Sequence, residues 1–470
     1  VGVEAVAAPW PSGVAAAGTD EEDAVGRTGE RRAGGHAVVL GCGMAGLFAA
    51  RVLADHFANV TVLERDRLGE GAKRRGVPQG EHSHGLLMRA AEIAEARFPG
   101  LIDELIADGA KPFGAFEDFR AVFFGNVLNR AATGRSSLAA SRPFLESHVR
   151  ARVAALPNVT LCEDVVVAGL VASGSGVGGV WVIRRETEGE SESIAADLVV
   201  DAMGRGSRVG AWLAELGYPR PREDRVPVDI GYATCHFHLP LDAVGGDRVV
   251  LVGPTPNRPR GFGFAAQEGP TWVLSAFGVG KHDRPPADPE ALREFAADFA
   301  PRDVGPVIRR ATPVDTVATY RFKTAVWRRY ELLQRFPDGI LSIGDAVCCF
   351  NPVYGSGMTV AAVTAELLDE VLSEGTEELP RRYYRRVGRM LRTPWWVTKV
   401  SDMTLPPVPV GPPWVKSLLY SGADRVFRAA ANDRVAAAAF LDVLNMDKSP
   451  LHMLKPRVAA ATVGLVGRRR

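Results

Sequence analysis

Hydrophobic positions first cluster in a short unbroken run, Ala37-Val38-Val39-Leu40, which predicts a buried strand. Apolar residues then recur at helical spacing through "LFAARVLADHF", and "VTVLE" predicts a second strand. Strand, helix and strand in that order open an α/β fold with a parallel sheet. "ADLVVDAMGRGSRV" predicts a strand ending at Asp201, a glycine-containing turn and a helix from Arg208. "ILSI" predicts a strand ending at Gly344-Asp345, and "TVAAVTAELLDEVLSEG" a helix beginning after Gly357. Between residues 225 and 335 the period changes. "VDIGYATCHFHL", "DRVVLVGPT", "RGFGFAAQEG" and "TWVLSAFGVG" alternate and are rich in β-branched and aromatic residues, which predicts a sheet. "RPPADPEALREFAADFAP" predicts a surface helix, and "TYRFKTAVWRRYELLQRF" a strand followed by a helix. The last 75 residues predict helices broken by a rigid loop, "LPPVPVGPPW".

The turn after the first strand carries the strongest chemical signal. Gly41-Cys42-Gly43-Met44-Ala45-Gly46 fits GxGxxG, and Glu64 ends the next strand, 23 residues after Gly41. The first glycine permits the tight turn, the second lets backbone approach a pyrophosphate, and the third lets helix pack on strand. The helix N-terminus offers N–H groups and positive dipole to the anion, and Glu64 can accept from ribose hydroxyls. "GSGVGG" (174–179) has the same spelling but lies between two strands, so it predicts a hairpin loop and no second nucleotide site.

Composition narrows the partners. With 470 residues, 46% hydrophobic and a net charge of +1, the chain suits one large or two intimate globular domains. The near-zero charge gives no reason to expect nucleic acid or an anionic membrane as the main partner. Five cysteines without CxxC or metal spacing predict reduced thiols, a cytoplasmic protein and no metal. Cys348-Cys349 is read as two small buried residues ahead of a vicinal disulfide. Residues 1–34, rich in Ala, Gly and acids, predict a disordered tail without a signal-peptide start. No apolar run reaches membrane-spanning length. "PRVAAATVGLVGRRR" at the C-terminus is compatible with peripheral membrane contact, though a terminal helix docked over a pocket is preferred.

Taken together, the GxGxxG turn, the middle Asp201-Ala202-Met203-Gly204 turn and "GDAVCCFNPVYGSGM" (344–358) resemble the flavoprotein monooxygenases of the p-hydroxybenzoate hydroxylase fold. The resemblance implies FAD, with Gly41, Gly43, Met44, Ala45, Gly46, Glu64 and Arg65 around its adenosine diphosphate part. It places Gly344 and Asp345 at the ribityl chain, and Pro352, Gly355, Gly357 and Met358 against the flavin ring. It also implies that Arg142, at the start of the helix in "SRPFLESHVRARV", bonds FAD phosphate oxygens. The loop "KRRGVPQGEHSHGLLMRA" (73–90) is similar to that of squalene-epoxidase-like and polyether-pathway epoxidases. From it come Arg74 for the pyrophosphate, Val77 near the ring and His84 as a catalytic candidate on the substrate side. His82 and His84, two apart, would not share a helix face and are also read as backbone-bonded or solvated histidines.

The implied architecture is α/β (α+β mixed). A Rossmann-like FAD-binding domain (35–110, 140–222 and 336–395) is interleaved with a β-sheet substrate domain (111–139 and 223–335), and a C-terminal helical region (396–470) follows. Phenylalanines of "PFGAFEDFRAVFFGNVLN" are placed at an apolar pocket. The implied reaction inserts one oxygen atom from O2, through a flavin C4a-hydroperoxide, into an apolar polyketide- or terpenoid-like substrate of secondary metabolism. Epoxidation is preferred to hydroxylation. The middle turn departs from the family's Gly-Ala-Asp-Gly, so electrons come from NAD(P)H directly or through a separate flavin reductase. The rivals are a reductase or dehydrogenase of the geranylgeranyl-reductase type, a flavin halogenase (whose WxWxIP signature is absent) and a non-catalytic FAD-binding sensor or scaffold.

Overall fold

A computed structural model describes residues 33–69, 78–130, 133–185, 189–405, 407–409 and 411–462. The expected N-terminal tail, Arg74, Val77 and the last eight residues lie outside the described residues, apart from 33 and 34. The apolar runs form a five-stranded parallel sheet in the order Ile340–Ser342, Leu198–Asp201, Gly34–Leu40, Phe57–Leu63, Val159–Cys162. Both faces are covered, as a parallel sheet requires, and Ala37 to Leu40 are fully buried. Because the strands run parallel, their C-terminal ends share one edge. The Gly41–Gly46 turn, Glu64, the Asp201 turn and Gly344-Asp345 therefore meet there, although Gly41 and Asp345 are 304 positions apart in sequence. Helix Met44–His56 follows the glycine turn and packs against helix Gly357–Ser373.

A nine-stranded sheet forms the second layer around the 16-residue strand Glu223–His238, which pairs with Thr271–Val279 and Ala318–Arg328. Strand Phe119–Phe123 joins it by pairing with Val249–Val252. The two-residue strand Cys348–Cys349 pairs with Trp327 and Val326, tying the segment after Asp345 to this second sheet. The site edge of the first sheet is thus fastened to the second.

"GSGVGG" is the expected hairpin, with Gly174-Ser175 turning between strands Val165–Ser173 and Gly176–Arg184. The helix expected after "TYRFKTAVW" is absent. Strand Ala318–Arg328 is followed by a single 3-10 turn, Tyr330–Leu332, where the buried Tyr330 ring stacks on Tyr384 at 4.8 Å. Tertiary packing of one aromatic residue overrides the local helical period there. All five cysteines are free, with Cys348 and Cys349 buried. Among the described residues, no helix is long and apolar enough to cross a membrane.

Candidate active site

At the shared edge, Gly41 has φ +102°, and a Cβ there would lie 3.0 Å from the Ala202 carbonyl oxygen. A Cβ on Gly46 would stand 1.9 Å from the Gly41 carbonyl oxygen, so helix and turn touch backbone to backbone. Gly43 caps helix Met44–His56 with no side-chain hydrogen bond, which leaves first-turn N–H groups for a ligand. The Arg142 guanidinium overhangs this turn, with Nη2 4.0 Å from the position of a Gly43 Cβ. Its buried Nε has no hydrogen-bond partner and lies 3.4 Å from Glu146 Oε2. Ser141 caps the helix that carries Arg142, accepting from the Phe144 N–H. Glu64 is buried and accepts from the backbone N–H groups of Cys42 at 2.9 Å and Asp66 at 3.1 Å, so it staples the glycine turn from below. Arg65, beside it, is exposed.

Gly344, with φ +60°, brings the second motif against the first: a Cβ there would sit 2.9 Å from Ala45 Cβ. Asp345 follows in a 3-10 turn. Burial pushes its carboxyl above the usual range, against the pull of Arg142, the Cys349 thiol, Arg328 and Arg205. The position of a Gly357 Cβ lies 3.8 Å from Asp345 Oδ1, so the acid faces the start of helix Gly357–Ser373. That helix start has no side-chain cap, and Ser356 Oγ and Thr359 Oγ1 are buried there without hydrogen-bond partners. Pro352 and Gly357 are exposed, Gly355 turns at φ +64°, and Met358 is buried. The middle turn is held by Asp201, which accepts from the Met203 N–H at 3.1 Å, Ser207 Oγ at 2.5 Å and Ser342 Oγ at 2.9 Å.

These residues fit FAD. Bare glycine backbone, an uncapped helix start and a guanidinium with an unbonded Nε suit a pyrophosphate. A carboxyl facing a second uncapped helix start, with two unsatisfied hydroxyls, suits a polyol chain and a polar ring edge.

A cavity of about 530 Å³ opens beside this second helix start. Phe113, Phe119, Phe123, Phe427 and Phe440 line it, with the 351–356 loop at one end. The C-terminal helices Pro413–Asn432 and Arg434–Leu444 close one side, and Phe427 stacks on Phe123 at 5.2 Å. The described cover over the pocket therefore comes from these two helices, and no residue of the terminal helix Pro456–Thr462, expected to dock there, lines the cavity.

His84 lines the cavity, and its Nδ1–H donates to the His82 carbonyl at 2.8 Å. Burial, with Arg142 nearby, lowers its pKa to about 3, so it stays neutral through the physiological range. His82 is not beside it on a common face. Its ring bonds Thr234 Oγ1 at 2.7 Å, and Thr234 Oγ1 bonds Ser275 Oγ at 2.6 Å. Among the described residues, no group of three His, Cys, Asp or Glu could hold a metal ion.

Sequence reasoning missed a polar cluster on the cavity wall: Asn351, Tyr354 and Asp402. Asp402 lies on helix Leu379–Met403 and was readable only as an acid on that helix's buried stripe, in register with Leu391, Trp395 and Thr398. The stripe itself does not say what it faces.

The sequence profile of the FAD binding domain family matches residues 36–383. Protein Rv3254 of Mycobacterium tuberculosis is 37% identical over 391 residues, which cover 78% of this chain and 80% of that protein. Kynurenine 3-monooxygenase of Salinispora arenicola is 26% identical over 369 residues, 72% of each chain. Among solved structures, a flavoprotein/dehydrogenase from Cytophaga hutchinsonii superimposes with a TM-score of 0.65 at 16% identity, covering 92% of this chain and 99% of that one. At that identity the likeness is one of fold.

Proposed function

The chain belongs to the FAD binding domain family, and from that premise we propose that it is a flavoprotein monooxygenase that transfers one oxygen atom from O2 to an apolar polyketide- or terpenoid-like substrate held in the phenylalanine-lined cavity. The observation that carries this reading is position: the cavity ends on the loop 351–356, one turn from the helix start that Asp345 faces. Gly41, Gly43 and Arg142 would hold the pyrophosphate, Asp345 the ribityl chain, and the 352–358 segment the ring. When bound there, FAD supplies the redox and oxygen-activating chemistry. The chain's part is to orient the substrate and keep water out, which the aromatic wall does by area and shape. The N-terminus of helix Gly357–Ser373 would favour negative charge on a ring held beside it. Neutral His84 offers Nε2 as an acceptor, since Nδ1 donates to His82. It orients rather than shuttles protons.

Epoxidation is favoured over aromatic hydroxylation by the similarity of the 73–90 loop to epoxidases. NAD(P)H or a separate flavin reductase supplies electrons. With Asp201 spent on its own turn, the middle segment offers no acid to an incoming nicotinamide cofactor, which supports the separate reductase.

The test is isotopic. The reduced protein is supplied with 18O2 and a panel of polyenes and aromatics, and products are read by mass spectrometry. One 18O atom per product is expected; label arriving from water, or products differing only by hydrogen, would assign the chain to another reaction.

A further inference from the structure

Two carboxylates line the cavity, and they are held differently. Asp447 is paired with Arg135. Asp402 is 1% exposed, and among the described residues no cation pairs with it. Its Oδ1 accepts from Asn351 Nδ2 at 2.9 Å and from the Tyr354 hydroxyl at 2.8 Å. Arg389, on the same helix, is 13 residues away, about 20 Å along the axis. A buried carboxylate with two neutral donors on one oxygen is under-satisfied, and such groups persist where they meet a ligand. Burial raises its pKa to about 6, so at neutral pH it is mostly ionised and ready to accept.

We infer that Asp402 determines specificity in this cavity: its carboxylate accepts a hydrogen bond from a hydroxyl group on an otherwise apolar substrate and turns carboxylates away. The inference rests on the cavity being the substrate site. The wall dictates the apolar body, since Phe113, Phe119, Phe123, Phe427 and Phe440 surround the space. Asp402 dictates the polar end. Through Asn351 and Tyr354 the same carboxylate grips the loop carrying Pro352 and Gly355, so a hydroxyl bound there is fixed relative to the loop assigned to the flavin ring. Asn351 in turn accepts from the Val353 N–H at 3.2 Å and from the Tyr232 hydroxyl at 3.4 Å, which ties the grip into the second sheet.

The test uses the FAD-loaded, oxidised protein without reductant, and three probes of one shape: naphthalene, 2-naphthol and 2-naphthoate. Dissociation constants come from equilibrium dialysis at about pH 8, where Asp402 is ionised. Wild type should bind 2-naphthol at least about tenfold tighter than naphthalene, and 2-naphthoate weakest. Asp402→Asn keeps the volume and an acceptor oxygen but removes the charge. It should admit 2-naphthoate about tenfold better and narrow the naphthol preference.

A second measurement needs no variant. Wild-type affinity for 2-naphthoate should rise about tenfold between pH 8 and pH 5, as Asp402 takes a proton. Tyr354 and Tyr232, the titratable groups facing it from the loop and from strand Glu223–His238, stay neutral because burial holds both well above their ordinary range. An unchanged ranking in Asp402→Asn, or no naphthol preference in wild type, overturns the inference. Binding is read without turnover. A protein that ranks the probes as stated but oxygenates nothing would refute the monooxygenase reading and leave Asp402's role standing.

Discussion

Gly46→Ala yields a chain that loses FAD and melts well below wild type. The new Cβ would stand 1.9 Å from the Gly41 carbonyl oxygen and 3.0 Å from its carbon. Both are backbone atoms of the turn, and Gly41 is itself pinned by its N–H to the Leu63 carbonyl at 2.7 Å. Relief requires helix Met44–His56 to move off the sheet. That helix buries Leu47, Phe48, Val52 and Leu53, so the cost is about 3 kcal/mol or more. Gly43→Ala is the contrasting case. Its Cβ meets only Arg142 Nη2, at 4.0 Å, so the fold survives while the pyrophosphate's approach is obstructed. Thermal melting, with flavin absorbance per protein after desalting, separates the two: both lose flavin, and only the first loses stability.

Asp345→Ala loses FAD without destabilising the apoprotein. The carboxyl would bond the ribityl chain, and removing hydrogen bonds to a charged group costs about 1.5–3 kcal/mol each, at least tenfold in affinity. The apoprotein behaves oppositely because burial raises the Asp345 pKa. An acid with a raised folded pKa stabilises the fold fully below its unfolded pKa, and that contribution is lost as pH rises through the folded value. Above its unfolded pKa, keeping this acid buried is therefore a cost, and alanine removes it. The apo variant should melt at or above wild-type apo at about pH 7.5. Flavin content equal to wild type would remove Asp345 from the cofactor site.

Four of the five strands of the first sheet and the glycine turn were readable because each rests on local physics: an apolar run, a helical period and the GxGxxG spacing. The convergence of Gly41, Asp201 and Asp345 followed from parallel pairing. Other features depend on partners remote in sequence. Phe123 stacks on Phe427 and meets Phe440 edge-on, contacts that no window around either residue contains. Tyr330 stops a predicted helix because Tyr384 is waiting for it. Asp402 shows the limit most clearly. It shares a helical stripe with the buried Leu391, Trp395 and Thr398, but Asn351 and Tyr354 had to be seen beside it before the acid stood out.

The central claim is that FAD bound along this edge reacts with O2 beside the phenylalanine-lined cavity. Its most direct test is to reduce the FAD-loaded protein anaerobically, mix it with O2 and record the flavin spectrum through time. The account predicts a transient spectrum belonging to neither the reduced nor the oxidised flavin, longer-lived when an apolar hydroxylated ligand fills the cavity. Direct conversion of reduced to oxidised flavin, unchanged by any such ligand, would contradict it.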